Sequence, residues 1–135
     1  MSGLPFTLTL PFDNANTGTA NWPNRLRRGQ PDNWSINRYF DTDAFTFPTQ
    51  YTFGNAGRNT LVGPGVHGID LSLQRGFRLP LNESSRLEFR AEAFNLLNRP
   101  HFDIPGSTLQ TPAFGVIGAT AQPNRQLQFG LKLLF

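Results

Sequence analysis

Arg125-Gln-Leu-Gln-Phe-Gly-Leu-Lys-Leu-Leu-Phe135 decides how this chain is read. Leu127, Phe129, Leu131, Leu133 and Phe135 are apolar at every second position. Gln126, Gln128, Gly130 and Lys132 between them are small or polar, and Leu134 alone breaks the alternation. Successive side chains of a strand project to opposite faces, so this pattern describes a ribbon with one oily and one wet face. A protein core or a lipid bilayer would satisfy the oily face. Roughly ten alternating residues is the length that a tilted strand needs to cross the hydrocarbon of a membrane.

Three more stretches alternate in the same way. Residues 3–10 place Leu4, Phe6, Leu8 and Leu10 on one parity, with Pro5 near the start. Residues 66–79 set Ile69, Leu71, Leu73, Phe77 and Leu79 against Asp70, Ser72, Gln74, Gly76 and Arg78; Arg75 intrudes on the apolar side, where a long side chain can snorkel to an interface. Residues 85–95 put Leu87, Phe89, Ala91 and Ala93 opposite Arg86, Glu88, Arg90 and Glu92. That third stretch also fits a helix, because Ser85-Arg-Leu-Glu88 spells a capping box and Leu87, Ala91, Phe94 and Leu97 have helical spacing. A helix would leave Phe89, Ala93 and Leu96 as a second apolar stripe, so the strand is the better reading. Pro80-Leu-Asn-Glu-Ser-Ser85 then forms a short turn that makes the second and third stretches a hairpin.

The connections carry topology. Only a short turn separates the second and third strands, whereas residues 11–65 and 97–124 are long loops rich in Asn, Gly, Pro and aromatics. Structureless connections of that length are rare in compact soluble domains. Transmembrane barrels alternate short periplasmic turns with long outer loops, which fits strands running up, down, up and down with the C-terminus in the periplasm. The expected fold is all-β: antiparallel up-and-down strands near 3–10, 66–79, 85–95 and 125–135, forming the C-terminal part of a transmembrane β-barrel with long irregular loops.

Composition agrees with turns and loops rather than helix. Thirteen Gly, eleven Pro and twelve Asn make up over a quarter of the 135 residues. Thirteen Phe and only 16% charged residues argue against charged disorder. The net charge of +3 is mild and the arginines are scattered, so no nucleic-acid partner is expected. The absence of Cys excludes disulfide scaffolds and thiolate zinc sites. No run of eighteen apolar residues suggests a transmembrane helix, and Met1-Ser-Gly-Leu-Pro-Phe6 lacks the features of a signal peptide. The chain is therefore expected to be the end of a longer exported protein.

No motif for chemistry survives scrutiny. Gly63-Pro-Gly-Val-His-Gly68 spells a dinucleotide fingerprint, but alternating strand residues follow it where a helix would be required. Glu88 and Glu92 share a strand face about 13 Å apart at about 3.3 Å per residue, beyond either glycosidase spacing. With Arg86 and Arg90 they read as a charge ladder on a watery barrel wall. His101 with Asp103, and His67 with Asp70, offer two ligands each without a third. No Ser sits on a nucleophile elbow. Asn33-Trp-Ser35 and Asn82-Glu-Ser84 match the glycosylation sequon, a pattern common by chance. Tyr39, Phe40, Phe45, Phe47, Tyr51 and Phe53 could form a ligand-contacting surface or an aromatic girdle at the interface, and packing of the long loop onto the barrel rim is the preferred reading. No catalytic residue, metal or cofactor is expected.

One series of segments is more specific than any of these pieces. Gly3-Leu-Pro-Phe-Thr7, Asp13-Asn-Ala-Asn-Thr-Gly18, Tyr39-Phe-Asp41, Ala44-Phe45, Phe53-Gly-Asn-Ala-Gly-Arg-Asn59, Gly63-Pro-Gly65, Ile69-Asp-Leu-Ser-Leu73, Phe89-Arg-Ala-Glu-Ala-Phe-Asn95, Asn98-Arg-Pro-His-Phe102 and the terminal strand occur in that order. Together they resemble the C-terminal end of TonB-dependent outer-membrane receptors, specifically the Oar-like type with a carboxypeptidase-regulatory-like domain found in Acidobacteria and relatives. The likeness covers nearly the whole chain. It implies a large barrel of about twenty-two strands, a plug, a TonB-contacting box, and energised import of bulky nutrients. Plug, box and most of the barrel are missing from this sequence. The implied partners are the outer-membrane lipid bilayer, the remainder of the barrel and the barrel-assembly machinery, with TonB engaged only through N-terminal parts. Phe135, Leu133, Leu131, Phe129 and Leu127 would form the assembly signal; Arg86, Glu88, Arg90 and Glu92 would face the lumen. Four strands cannot close, so the segment should not transport alone. The rival expectation is a small soluble β-rich module that binds carbohydrate or protein.

Overall fold

A computed structural model describes residues 2–80 and 85–135. Its strands are β1 (Pro5–Phe6), β2 (Asn24–Arg25), β3 (Phe45–Thr46), β4 (Leu61–Val62), β5 (Leu71–Arg78), β6 (Arg86–Phe94) and β7 (Gln126–Leu134). One 3-10 turn, Thr42–Ala44, is the only helical element among the described residues. All named strand pairings are antiparallel. The chain divides into two compact units: Met1–Val66 with His101–Ala121, and His67–Pro100 with Gln122–Phe135.

The second unit is a three-stranded antiparallel sheet in the order β5-β6-β7. Its register puts the alternation of three separate stretches into phase. Residues opposite one another across neighbouring strands share a face. Leu71–Ala93–Leu127, Leu73–Ala91–Phe129, Arg75–Phe89–Leu131 and Phe77–Leu87–Leu133 form four rungs on one face. Ser72–Glu92–Gln128, Gln74–Arg90–Gly130, Gly76–Glu88–Lys132 and Arg78–Arg86–Leu134 form four on the other. A slip of one residue would exchange the faces, so the pattern itself fixes the register. Residues 85–97, ambiguous between helix and strand in sequence, contribute β6, which is paired along both edges. The hairpin turn expected at Pro80–Ser85 falls largely on 81–84, outside the described residues.

Asparagines end β6. Asn95 and Asn98 both adopt left-handed backbone, with φ of 50° each, a conformation Asn tolerates better than most residues. The Asn95 N–H donates to Asp70 Oδ1 at 2.9 Å, its side chain donates to the Arg99 carbonyl at 2.9 Å, and its Oδ1 accepts from the Arg99 N–H at 3.1 Å. Asn98 Oδ1 accepts the Arg125 N–H at 3.1 Å, just before β7 begins. Two side chains thus stop one strand and tether the start of another.

The first unit differs from expectation. Residues 3–10 were expected to form a barrel strand, yet only Pro5–Phe6 is strand, paired with Leu61–Val62. The parity survives with another destination: Phe6, Leu8 and Leu10 are buried while Leu4 is exposed. Pro5 and Pro11 remove ladder donors at both ends, which prevents a long paired strand. Thr9 instead exchanges hydrogen bonds with a loop, its N–H to the Ser107 carbonyl at 3.0 Å and its carbonyl from the Leu109 N–H at 2.9 Å.

The stretches 11–65 and 97–124, read as long loops, largely supply a hydrophobic core. Tyr39, Phe40, Ala44, Phe45, Ala56, Leu61, Leu109 and Ile117 join Phe6, Leu8 and Leu10 in it. Phe40 has no exposed surface and contacts the rings of Phe6, Phe45 and Phe114, with centroids 6.0, 6.0 and 5.0 Å away. Side chains take up the hydrogen bonding that a regular sheet would supply. Asn14 donates to the carbonyls of Thr49 and Thr52, both at 2.9 Å, and buried Asn21 joins Ala15, Asp13 and Thr19.

Candidate membrane-facing surface

The apolar face of β5-β6-β7 is the largest chemical feature of the second unit. Leu71, Leu73, Phe77, Leu127, Phe129, Leu131 and Leu133 are all exposed; Phe129 and Leu131 retain 69% and 70% of their accessible surface. Phe89 and Phe129, diagonal neighbours across β6 and β7, stack at 6.4 Å. Such contiguous apolar surface marks a membrane or partner surface rather than ordinary solvent-facing decoration. Arg75 interrupts the face, and its guanidinium lies over the Phe77 ring at 5.8 Å. An aromatic platform one step along the strand gives the charge a direction in which to leave an apolar surround.

The opposite face is polar along every rung except at Leu134. Arg90 and Glu92, two residues apart, pair at 2.6 Å, while Glu88 stands opposite Lys132. Gly130 lies opposite Arg90, whose Cβ would be 3.8 Å from a Cβ added there. Arg86 stands opposite Arg78 at the end of the face. The four residues of the expected ladder therefore share one face, and four of the five terminal apolar residues, Leu127 to Leu133, share the other; Phe135 lies just past β7 with 90% of its surface exposed.

Dimensions suit a bilayer. Nine residues at about 3.4 Å per residue extend about 31 Å, and strands of nine to eleven residues span membranes when tilted. Both outer edges of the sheet, on β5 and on β7, lack a strand partner among the described residues. Unsatisfied edge groups are not tolerated in hydrocarbon.

The other candidate residues are structural or scattered. His101 lies in the first unit and His67 in the second. Asp70 caps the Asn95 N–H, and Asp103 accepts from the Ile104 N–H at 2.7 Å. No group of three metal-ligating side chains occurs among the described residues. Gly63 donates its N–H to the Leu4 carbonyl, and the glycine-rich stretch leads into β5 rather than a helix. Of the loop aromatics, Tyr39, Phe40 and Phe45 are core, and Phe47 stacks on Phe12 at 5.3 Å. Tyr51 and Phe53 remain exposed. The Tyr39 hydroxyl donates to the Val62 carbonyl at 3.0 Å, and burial raises its pKa.

An electrostatic bracket was not evident in sequence. Asp41 accepts from Arg27 at 2.7 Å and from Arg38 at 2.8 Å, while its N–H donates to the Gly29 carbonyl at 2.8 Å. The hydrogen bond from Arg27 is the largest effect on the Asp41 carboxyl; burial, next in size, opposes it, and the hydrogen bond from Arg38 helps Arg27 hold the group below the usual carboxylate range. The only local signal was the three-residue spacing of Arg38 and Asp41; the Arg27 contact depends on tertiary folding.

These features define a chain with one sheet built for apolar surroundings and one compact, loop-rich unit. The class they describe is an outer-membrane barrel protein. Residues 1–128 match the family described as "Outer membrane beta barrel domain", and the chain belongs to that family. It is an all-β protein of the outer membrane, embedded in the lipid bilayer there, in a family that is generally non-enzymatic. The match ends before Phe129, so the last apolar residues of β7 lie beyond it. No curated protein and no solved structure matches the chain.

Proposed function

We propose that this chain supplies the closing strands of a TonB-dependent transporter barrel and does not transport on its own. The single observation that carries the barrel assignment is the phase of the four apolar rungs across β5, β6 and β7. The TonB-dependent part rests on the ordered series of segments from Gly3 to Phe135. In this reading the apolar rungs face lipid and Arg86, Glu88, Arg90 and Glu92 face the lumen. Phe135, with Leu133, Leu131, Phe129 and Leu127, is the signal read by the barrel-assembly machinery. The β5 and β7 edges pair with other strands of the barrel, and TonB is contacted by segments outside this chain.

Two experiments separate the coarse and fine parts of the reading. The chain has no Cys, so single Cys can be placed at Gln128 and Phe129 and labelled in outer membranes with a water-soluble and a lipid-soluble maleimide. Q128C should take the aqueous reagent and F129C the lipid-soluble one; equal labelling of both by the aqueous reagent removes the barrel assignment. Sequencing upstream DNA tests the transporter assignment: an in-frame plug and further strands are expected, and a stop codon immediately upstream overturns it. The soluble-module alternative requires a private core, which the first unit does possess. It leaves the exposed apolar sheet without a role.

A further inference from the structure

We propose that the arginine cleft of the first unit is a binding site for a phosphate monoester. The cleft is open, has a volume of about 530 Å³, and is lined among others by Arg27, Arg28, Gln30, Asn33, Arg38 and Asp41. That volume falls within the range of small-ligand sites. Two observations make it a built site rather than a chance gathering of surface cations.

The first is preorganisation. Asp41 holds both Arg27 and Arg38 through 2.7 and 2.8 Å contacts, and Arg38 also reaches Asp43 at 3.1 Å. A guanidinium has five N–H donors in a fixed fork, so each of these arginines keeps donors beyond those that Asp41 and Asp43 occupy. The loop between them is equally constrained. Gly29 has φ of 61°, its carbonyl accepts from Asp41, and a Cβ there would approach the Phe45 ring to 2.6 Å. A glycine is required where the loop turns over the core, next to Arg28.

The second is charge. The lining carries three guanidinium groups and one carboxylate, and Asp43, which also pairs with Arg38, leaves the cluster at +1. Arg28 makes no side-chain hydrogen bond or ion pair among the described residues and is exposed. The net positive charge attracts an anion, and forked donors with N–H groups to spare fit phosphate oxygens bidentately. Gln30 and Asn33 add neutral side-chain amides for ester or hydroxyl oxygens. The shared chemistry is a phosphate monoester, borne by a soluble small molecule or by a membrane lipid. The proposal stands on the first unit alone and does not depend on the transporter reading.

The test uses the full chain in neutral detergent micelles, titrated calorimetrically with glycerol phosphate above pH 7. Saturable binding is expected, roughly tenfold weaker in R28Q and unchanged in R125Q, which removes the same charge from the other unit. Tryptophan emission equal to the parent's establishes that R28Q is folded, because Trp22 and Trp34 both lie in the first unit. Binding by R28Q equal to the parent's, or equally tight binding of methyl sulfate, a monoanion, overturns the proposal. A second arm adds phosphatidic acid to the micelles. Displacement of glycerol phosphate assigns the site to a lipid phosphate and no displacement assigns it to a soluble ester; either result supports the phosphate-monoester site.

Discussion

At the scale of single residues, the first unit depends on Phe40 and Asp41, neighbours in sequence with opposite duties. Phe40 fills the centre of the core, and Phe40→Ala should destabilise that unit by about 3–5 kcal/mol, the usual range for a fully buried aromatic; a denaturant titration followed by tryptophan emission measures it. Asp41 acts through charge. Its pKa is lowered in the folded unit by the arginines, so its contribution is fully present above the unfolded value of about 3.9. That contribution is lost as pH falls through the lower folded value. Stability of the first unit should therefore be level through neutral pH and decline below about pH 4, and Asp41→Asn should flatten the decline. Acid unfolding profiles of the two proteins that superimpose would remove Asp41 from the account. Neither residue was assigned a structural role by spacing alone. A Phe in a Pro- and Asn-rich stretch carries no periodicity, and a bracket closed across fourteen residues has no local signature.

At the scale of elements, period two was legible and its destination was not always so. The stretches 66–79, 85–95 and 125–135 each display one oily parity, and the structure brings those parities onto one face of β5-β6-β7. Residues 3–10 display the same parity and bury it in a core made by distant loops. Alternation states that one face must avoid water; it does not distinguish lipid from protein. The discriminating signal was proline: Pro5 and Pro11 bracket the short stretch, while β6 and β7 contain none. The same faces give an asymmetric prediction. Leu131→Lys places a charge on the apolar face and should oppose membrane insertion by about 2–4 kcal/mol near the bilayer midplane. Gln128→Lys, on the polar face, should be tolerated. Urea extraction of outer membranes carrying each variant compares them directly, and equal retention would mean that the apolar face does not meet lipid.

At the scale of the whole molecule, the two units satisfy their apolar surface by different means. The first encloses Phe6, Leu8, Phe40 and Leu61 within its own chain. The second leaves Leu73, Phe129 and Leu131 uncovered and presents two unpaired strand edges among the described residues. Their responses to solvent should therefore separate. Both tryptophans belong to the first unit, so tryptophan emission follows that unit, whereas far-ultraviolet circular dichroism near the β minimum is dominated by the long strands of the second. In detergent, denaturant should give two non-coincident transitions by these probes, the departure from two-state behaviour expected when units unfold separately. Removing detergent should leave the tryptophan environment native-like while the chain associates through open edges and apolar faces. Sedimentation velocity and emission spectra recorded on the same detergent-free sample test this. A soluble monomer whose two probes melt together would show that the sheet finds cover within its own chain, and the membrane-facing assignment of β5-β6-β7 would fall with it.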